Sequence, residues 1–205
     1  MGKCPSASFI CTIFSKQEFD WSVKRISAGL RKKAKPIVLL LLDVDGVLTD
    51  GRIIIDDHGV ETKNFHVRDG QGIALLARGG IEVGFITARS SRSLTYRAKE
   101  LGVRLIRQGV RDKLRTYNEI KCSRKLQDRQ IAYMGDDIVD LPTLRQAGLA
   151  LSVSDAWTGL GSTVDFVTST AGGHGAVREV AELLLKAQGK WAAILANNLR
   201  GRGNN

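Results

Sequence analysis

No stretch of the 205-residue chain reaches the roughly 18 uncharged apolar residues that a membrane-spanning helix needs. The short apolar run from Phe9 to Phe14 is broken by Cys11 and Thr12, and no small-residue cleavage site follows it, so it does not read as a secretion signal. Cysteine is scarce as well. Cys4, Cys11 and Cys122 form no CxxC pair and no zinc spacing with His58, His66 or His174, which leaves reduced thiols in a cytoplasmic protein. Internal repeats and low-complexity segments are absent.

A formal charge of +10 raises the question of a nucleic-acid partner, and its location answers it. Residues 1–35 hold eight Lys and Arg against Glu18 and Asp20, and residues 188–205 hold Lys190, Arg200 and Arg202 with no acid. Residues 36–187 carry 20 basic and 19 acidic side chains, so the segment that can fold is nearly neutral. Basic tails bind polyanions loosely, whereas specific nucleic-acid readers place their basic groups on a folded surface. Trp21, Trp157 and Trp191 lack neighbouring basic stripes and read as packing residues. The chain therefore divides into an extension at 1–35 with a helix at 21–35, a domain at 36–187, and a tail at 188–205.

Within the domain, strand and helix patterns alternate. IVLLLL (37–42) is a continuous apolar run of the kind that forms a parallel strand buried on both faces. Residues 51–67 read as a β-hairpin turning at Asp57, His58 and Gly59, and RDGQGIALLARGG as a helix capped around Asp69. Strands at IEVGFIT, VRLIRQG, QIAYMGDD, GLALSV and DFVTS alternate with helices at 91–101, in RDKLRTYNEIKCSRKL, at 138–146 and at 175–187. This order predicts a doubly wound, mostly parallel α/β sheet, whose ligands sit beyond the carboxyl ends of the strands.

Polar residues fall where that architecture places a site. Asp43 and Asp45 follow the first strand, Thr87 ends the second, Lys113 opens a helix, and Asp136, Asp137 and Asp140 follow a later strand. Each alone reads equally well as a cap or a solvated side chain; together and in order they suit phosphate-ester hydrolysis. A carboxylate can attack phosphorus and form an aspartyl phosphate, while a second carboxylic acid protonates the leaving oxygen and then activates water. Clustered carboxylates repel a phosphate dianion, so a hard divalent cation such as magnesium is required.

In DVDGVLTD, Thr87, Lys113 and GDDIVD the chain resembles the haloacid dehalogenase superfamily of Rossmann-like hydrolases. In FHVRDGQGI, RQGVRDKL, YMGDDIVDLP and GGHGAVREVAELLLKAQGK it resembles, over residues 21–190, the superfamily's capless 3-deoxy-D-manno-octulosonate 8-phosphate (KDO 8-phosphate) phosphatase family. The resemblance implies Asp43 as nucleophile, Asp45 as general acid and base, and Thr87 and Lys113 as phosphate-stabilising groups. It implies Mg2+ held by Asp43, Asp136 and the backbone carbonyl of Asp45, with Asp137 and Asp140 in support. It further implies that Arg68, Arg89, Arg178 and His174 contact a sugar-acid phosphate. His174 and Ala88 are departures, standing where the family usually has arginine and glycine.

The resemblance implies a role in lipopolysaccharide biosynthesis. The expectation of a cytoplasmic enzyme with neither nucleic acid nor membrane as a partner rests on the missing apolar span and on basic charge confined to the tails. The resemblance also implies a homotetramer, with hairpins packed together through Ile53 and Ile55 and the segment after Gly172 closing a neighbour's site. Three other readings compete: a phosphatase of a nine-carbon sugar-acid 9-phosphate, which Arg68 disfavours; a non-catalytic tetrameric binding module; and a nucleic-acid 3′-phosphatase using the basic tails.

Overall fold

A computed structural model describes residues 26–199. The expected extension at 1–20 and the start of the helix at 21–35 lie outside the described residues. What is described of that helix is α1 (Ala28–Ala34), whose first turn is capped by the Ser27 hydroxyl accepting from the Leu30 N–H. It ends just before Pro36, whose missing N–H cannot extend the helical ladder beyond Lys35.

The apolar run becomes β1 (Leu39–Leu42), at the middle of a six-stranded sheet. The other strands are β4 (Glu82–Ile86), β5 (Leu105–Arg107), β6 (Ile131–Met134), β7 (Leu149–Ser152) and β8 (Phe166–Val167). Their order is β5-β4-β1-β6-β7-β8, and every pairing is parallel. Side chains alternate across a strand, so Leu40 and Leu42 enter one core and Leu39 and Leu41 the other. The first core is covered by α2 (Val67–Arg78), α3 (Arg92–Glu100) and α6 (Ala176–Ala187), the second by α4 (Lys113–Ser123) and α5 (Leu141–Gln146). All four leucines are fully buried, which explains why the run shows no polar alternation.

After β1 the chain builds β4 and β5 on one side, then crosses to β6 on the other. The strand order thus reverses at β1, and a crevice opens beyond its carboxyl end. Between β1 and β4 stand only α2 and a short hairpin of β2 (Ile54–Ile55) and β3 (Glu61–Thr62). Among the described residues there is no cap domain, and no helix is long and apolar enough to cross a membrane.

Several local expectations are corrected. His66, not Asp69, caps α2, its Nδ1 accepting from the Arg68 N–H at 3.2 Å. Asp69 is buried and caps α6 instead, accepting from the N–H groups of Gly175 (3.2 Å) and Arg178 (2.9 Å). Burial pushes its carboxyl above the usual range, against the pull of those two donors. The expected helix at 138–146 splits into a 3-10 turn (Ile138–Asp140) and α5, because the Asp140 carboxylate takes the N–H groups of Asp136 and Asp137. Of the segment after Gly172, residues 176–187 form α6, a core helix packed on α2. Residues 188–205 are not a plain tail, for they contain α7 (Trp191–Leu199), which buries Ile194.

Candidate active site

Asp43 is the residue that follows β1, and the sheet register continues through it, its N–H donating to the Met134 carbonyl at 2.9 Å. Its side chain is 9% exposed. Lys113 opens α4, a helix capped by the Asp112 side chain accepting from the Arg115 N–H. The buried Lys113 ammonium donates to Asp43 Oδ2 and to Asp140 Oδ1, each at 2.8 Å. Burial alone would push this lysine down, but the two carboxylates outweigh it and hold the amine above its ordinary value.

Asp140 organises the strand ends. It is fully buried and also accepts from the Tyr133 hydroxyl at 2.6 Å and from the N–H groups of Asp136 and Asp137. Both its oxygens are therefore engaged. Asp136, directly behind β6 and Gly135, is different: its Oδ1 is buried with no hydrogen-bond partner. Asp137 turns outward and caps the 3-10 turn, accepting from the Ile138 N–H at 2.7 Å.

Carboxylate oxygens of Asp43, Asp136 and Asp140 lie within 4.8 Å of one another. Three acids against one lysine leave two uncompensated negative charges in a buried cluster. Burial, reinforced by the Asp43 and Asp140 charges, pushes Asp136 up to about 7. Burial likewise pushes Asp43 up to about 6, with Lys113 opposing it. A divalent cation with oxygen ligands fits this donor set, and the orphaned Asp136 Oδ1 is aimed to serve it.

The loop after β1 is tightly built. Gly46 has φ of +89°, and a Cβ there would meet Asp136 Oδ2 at 2.0 Å. Gly172 approaches from the other side, where a Cβ would meet the Gly46 carbonyl oxygen at 1.7 Å. Only glycine at both positions lets the 172–175 loop rest on the catalytic loop.

Asp45 is not part of the three-acid cluster. Its Oδ1 accepts from Lys63, and its Oδ2 faces the Thr87 hydroxyl at 3.5 Å. Thr87 is buried at the end of β4 and accepts from the Arg89 N–H at 3.2 Å. The Arg89 guanidinium is held by Glu61 through Nη2, while its Nε is buried without a partner.

The structure thus brings Asp43, Asp45, Thr87, Lys113, Asp136 and Arg89 together. Arg68 is exposed, its Cδ lying 3.9 Å from where a Gly175 Cβ would stand, and the neighbouring His174 is exposed with Nδ1 2.7 Å from the Gly172 carbonyl. Arg178 is turned elsewhere, donating to Glu182 at 3.0 Å and lying over the Trp191 ring. Lys63 and Glu61 are the residues that sequence reasoning missed. Their signal was present in the two-residue spacing, which puts both side chains on one face of an extended strand.

No protein-family model matches the chain. It is 44% identical over 165 residues, 80% of this chain and 88% of the relative, to the 3-deoxy-D-manno-octulosonate 8-phosphate phosphatase KdsC of Escherichia coli. A structure of the corresponding phosphatase from Moraxella catarrhalis, in complex with magnesium, phosphate and KDO, superposes with a TM-score of 0.80. That protein is 44% identical, the match covering 82% of this chain and 96% of the other. The cobalt-bound form of the phosphatase from Haemophilus influenzae superposes with a TM-score of 0.75 at 40% identity, over 77% of this chain and 92% of its own.

The raised carboxyls make a pH prediction. Asp43 and Asp136 lie above the 3.8 of an unfolded aspartate, so between about pH 4 and 7 the metal-free folded state holds more protons than the unfolded chain. Metal-free stability should therefore fall as pH rises through that window, and a bound cation should restore it. Thermal melts with and without magnesium should show a larger rise in Tm at about pH 8 than at about pH 5. An equal rise at both would detach the cation from these carboxylates.

Proposed function

The chain belongs to the 3-deoxy-D-manno-octulosonate 8-phosphate phosphatase family of the haloacid dehalogenase superfamily, and from that footing we propose that it hydrolyses KDO 8-phosphate to KDO and phosphate in lipopolysaccharide biosynthesis. The observation that carries the reading is the buried Asp43–Lys113–Asp140 array beside the orphaned Asp136 oxygen, at the crevice where β1 ends.

In the first step an Asp43 carboxylate oxygen attacks phosphorus while Lys113 holds the other oxygen. The bond from phosphorus to the substrate's C8 oxygen breaks, and Asp45 delivers a proton to that oxygen. In the second step Asp45, now a carboxylate, takes a proton from water. The water oxygen attacks the phosphorus of the aspartyl phosphate, releasing phosphate and regenerating Asp43. Lys113 and the Thr87 hydroxyl stabilise the phosphoryl oxygens. Asp43, Asp136 and the Asp45 carbonyl would hold magnesium, whose charge would offset the repulsion between the phosphate dianion and the acids.

Arg89, with an unpartnered Nε, is the best placed of the basic residues to meet an anionic substrate group, while His174 lies in the 172–175 loop and Arg68 beside it. Arg178 is assigned to α6 and Trp191 rather than to substrate.

Phosphate release with magnesium from KDO 8-phosphate, a nine-carbon sugar-acid 9-phosphate and simple hexose phosphates tests the substrate. The expected result is a kcat/KM for KDO 8-phosphate at least about tenfold above the others, a difference of about 1.4 kcal/mol in transition-state binding. Equal slow release from all of them would withdraw the substrate while keeping the hydrolase.

The proposal includes a cytoplasmic homotetramer. Its support is the hairpin, where Ile53, Ile55 and Val60 are 56%, 58% and 58% exposed on a two-stranded ribbon that is marginal alone. Sedimentation equilibrium should return four chains per particle, and Ile53→Lys with Ile55→Lys should shift it to smaller species. A wild-type monomer would contradict the assembly.

A further inference from the structure

The mechanism above leaves one buried charge unused. The Lys63 side chain is 3% exposed, one of the most enclosed cations among the described residues, yet it is carried by a short exposed hairpin. Burying an ammonium is costly unless carboxylates surround it. Two do: Asp45 Oδ1 and Glu61 Oε1, the latter at 2.9 Å. Glu61 is itself anchored twice. Its second oxygen holds the Arg89 guanidinium, and its backbone carbonyl accepts from the Ser93 hydroxyl of α3 at 3.3 Å. Lys63 and Arg89 together hold the Glu61 carboxyl below the usual range, against its burial.

We propose that Lys63 is a positioning residue for hydrolysis, orienting the Asp45 carboxyl toward the leaving oxygen, with Glu61 as the clamp that ties this contact to Arg89. The inference rests on the assignment of Asp45 as general acid and base.

The geometry carries it as follows. Asp45 sits on a loop and its side chain is 20% exposed, so burial alone does not fix its carboxyl plane. Thr87 addresses Oδ2 only at 3.5 Å, a weak restraint, which leaves Lys63 on Oδ1 as the strong one. A general acid works only within about 2.6–3.2 Å of the atom it protonates, so a free rotor at this position loses rate without losing binding. The same chain of contacts gives the hairpin a catalytic duty within its own subunit: the rail from Asp45 through Lys63 and Glu61 to Arg89 ties the proton donor to the Arg89 guanidinium.

The test separates leaving groups. KDO 8-phosphate expels an alkoxide that needs a proton, whereas p-nitrophenyl phosphate expels an acidic phenol that departs as its anion. Single-turnover rates of phosphorus–oxygen cleavage are measured for wild type, Lys63→Met, Lys63→Arg and Glu61→Gln with magnesium. Lys63→Met should lose on the order of 10²-fold with KDO 8-phosphate at little changed KM, and at least about tenfold less than that with p-nitrophenyl phosphate. Lys63→Arg should recover part of the loss. Glu61→Gln should show the same selectivity in weaker form and decides the matter if Lys63→Met fails to fold. Equal losses on both substrates, or none on either, would overturn the proposal. The substrate assignment fails differently, through a wild type that shows no preference for KDO 8-phosphate.

Discussion

A single buried ammonium, Lys113, shared by Asp43 and Asp140, is the interaction on which the rest of the site depends. Each of these charges loses several kcal/mol of hydration when enclosed, and only close pairing with satisfied hydrogen bonds offsets that loss. Asp140 meets the requirement by taking Lys113, Tyr133 and two backbone N–H groups on its two oxygens. The ends of β1 and β6 and the start of α4 are thereby joined at one point. Left over is an Asp136 oxygen, Oδ1, buried with no hydrogen-bond partner beside Asp43.

The two sides of the site are built on different principles. On the Asp43 side, all groups stand at the ends of strands or helices of the main sheet, and fully buried leucines fix the strand that Asp43 follows. On the Asp45 side, the partners come from a surface hairpin and a loop, linked by ion pairs through Lys63, Glu61 and Arg89. Under the proposed mechanism, the nucleophile is thereby rigid and the proton donor is held by a small separate element, a division suited to a fold without a cap. The glycines at 46 and 172 let the two sides close on each other at backbone distance.

Much of this was legible in the sequence, and the reason is topological. A parallel strand buried on both faces announces itself as an unbroken apolar run, and the residue after it must face the crevice. That logic located Asp43, Thr87 and Asp136 at strand ends, and the alternating pattern predicted the doubly wound sheet. Side-chain partners distant in sequence were not legible. Asp69 reads as a local cap for its own helix, but buried geometry pairs it with Gly175 and Arg178, over a hundred residues away. Arg178 reads as a substrate contact, yet Glu182 one helical turn on and the Trp191 ring claim it. Lys63 looks like an ordinary hairpin lysine until Asp45 is seen against it.

The central claim is that phosphoryl transfer passes through Asp43, and the most direct measurement is to trap the transferred group. Enzyme turning over KDO 8-phosphate labelled in its phosphate is quenched in acid, digested, and the labelled peptide mapped. The account predicts an acyl phosphate, labile to hydroxylamine, on Asp43, and none in Asp43→Asn. Label on another residue, or steady phosphate release from Asp43→Asn, would contradict it.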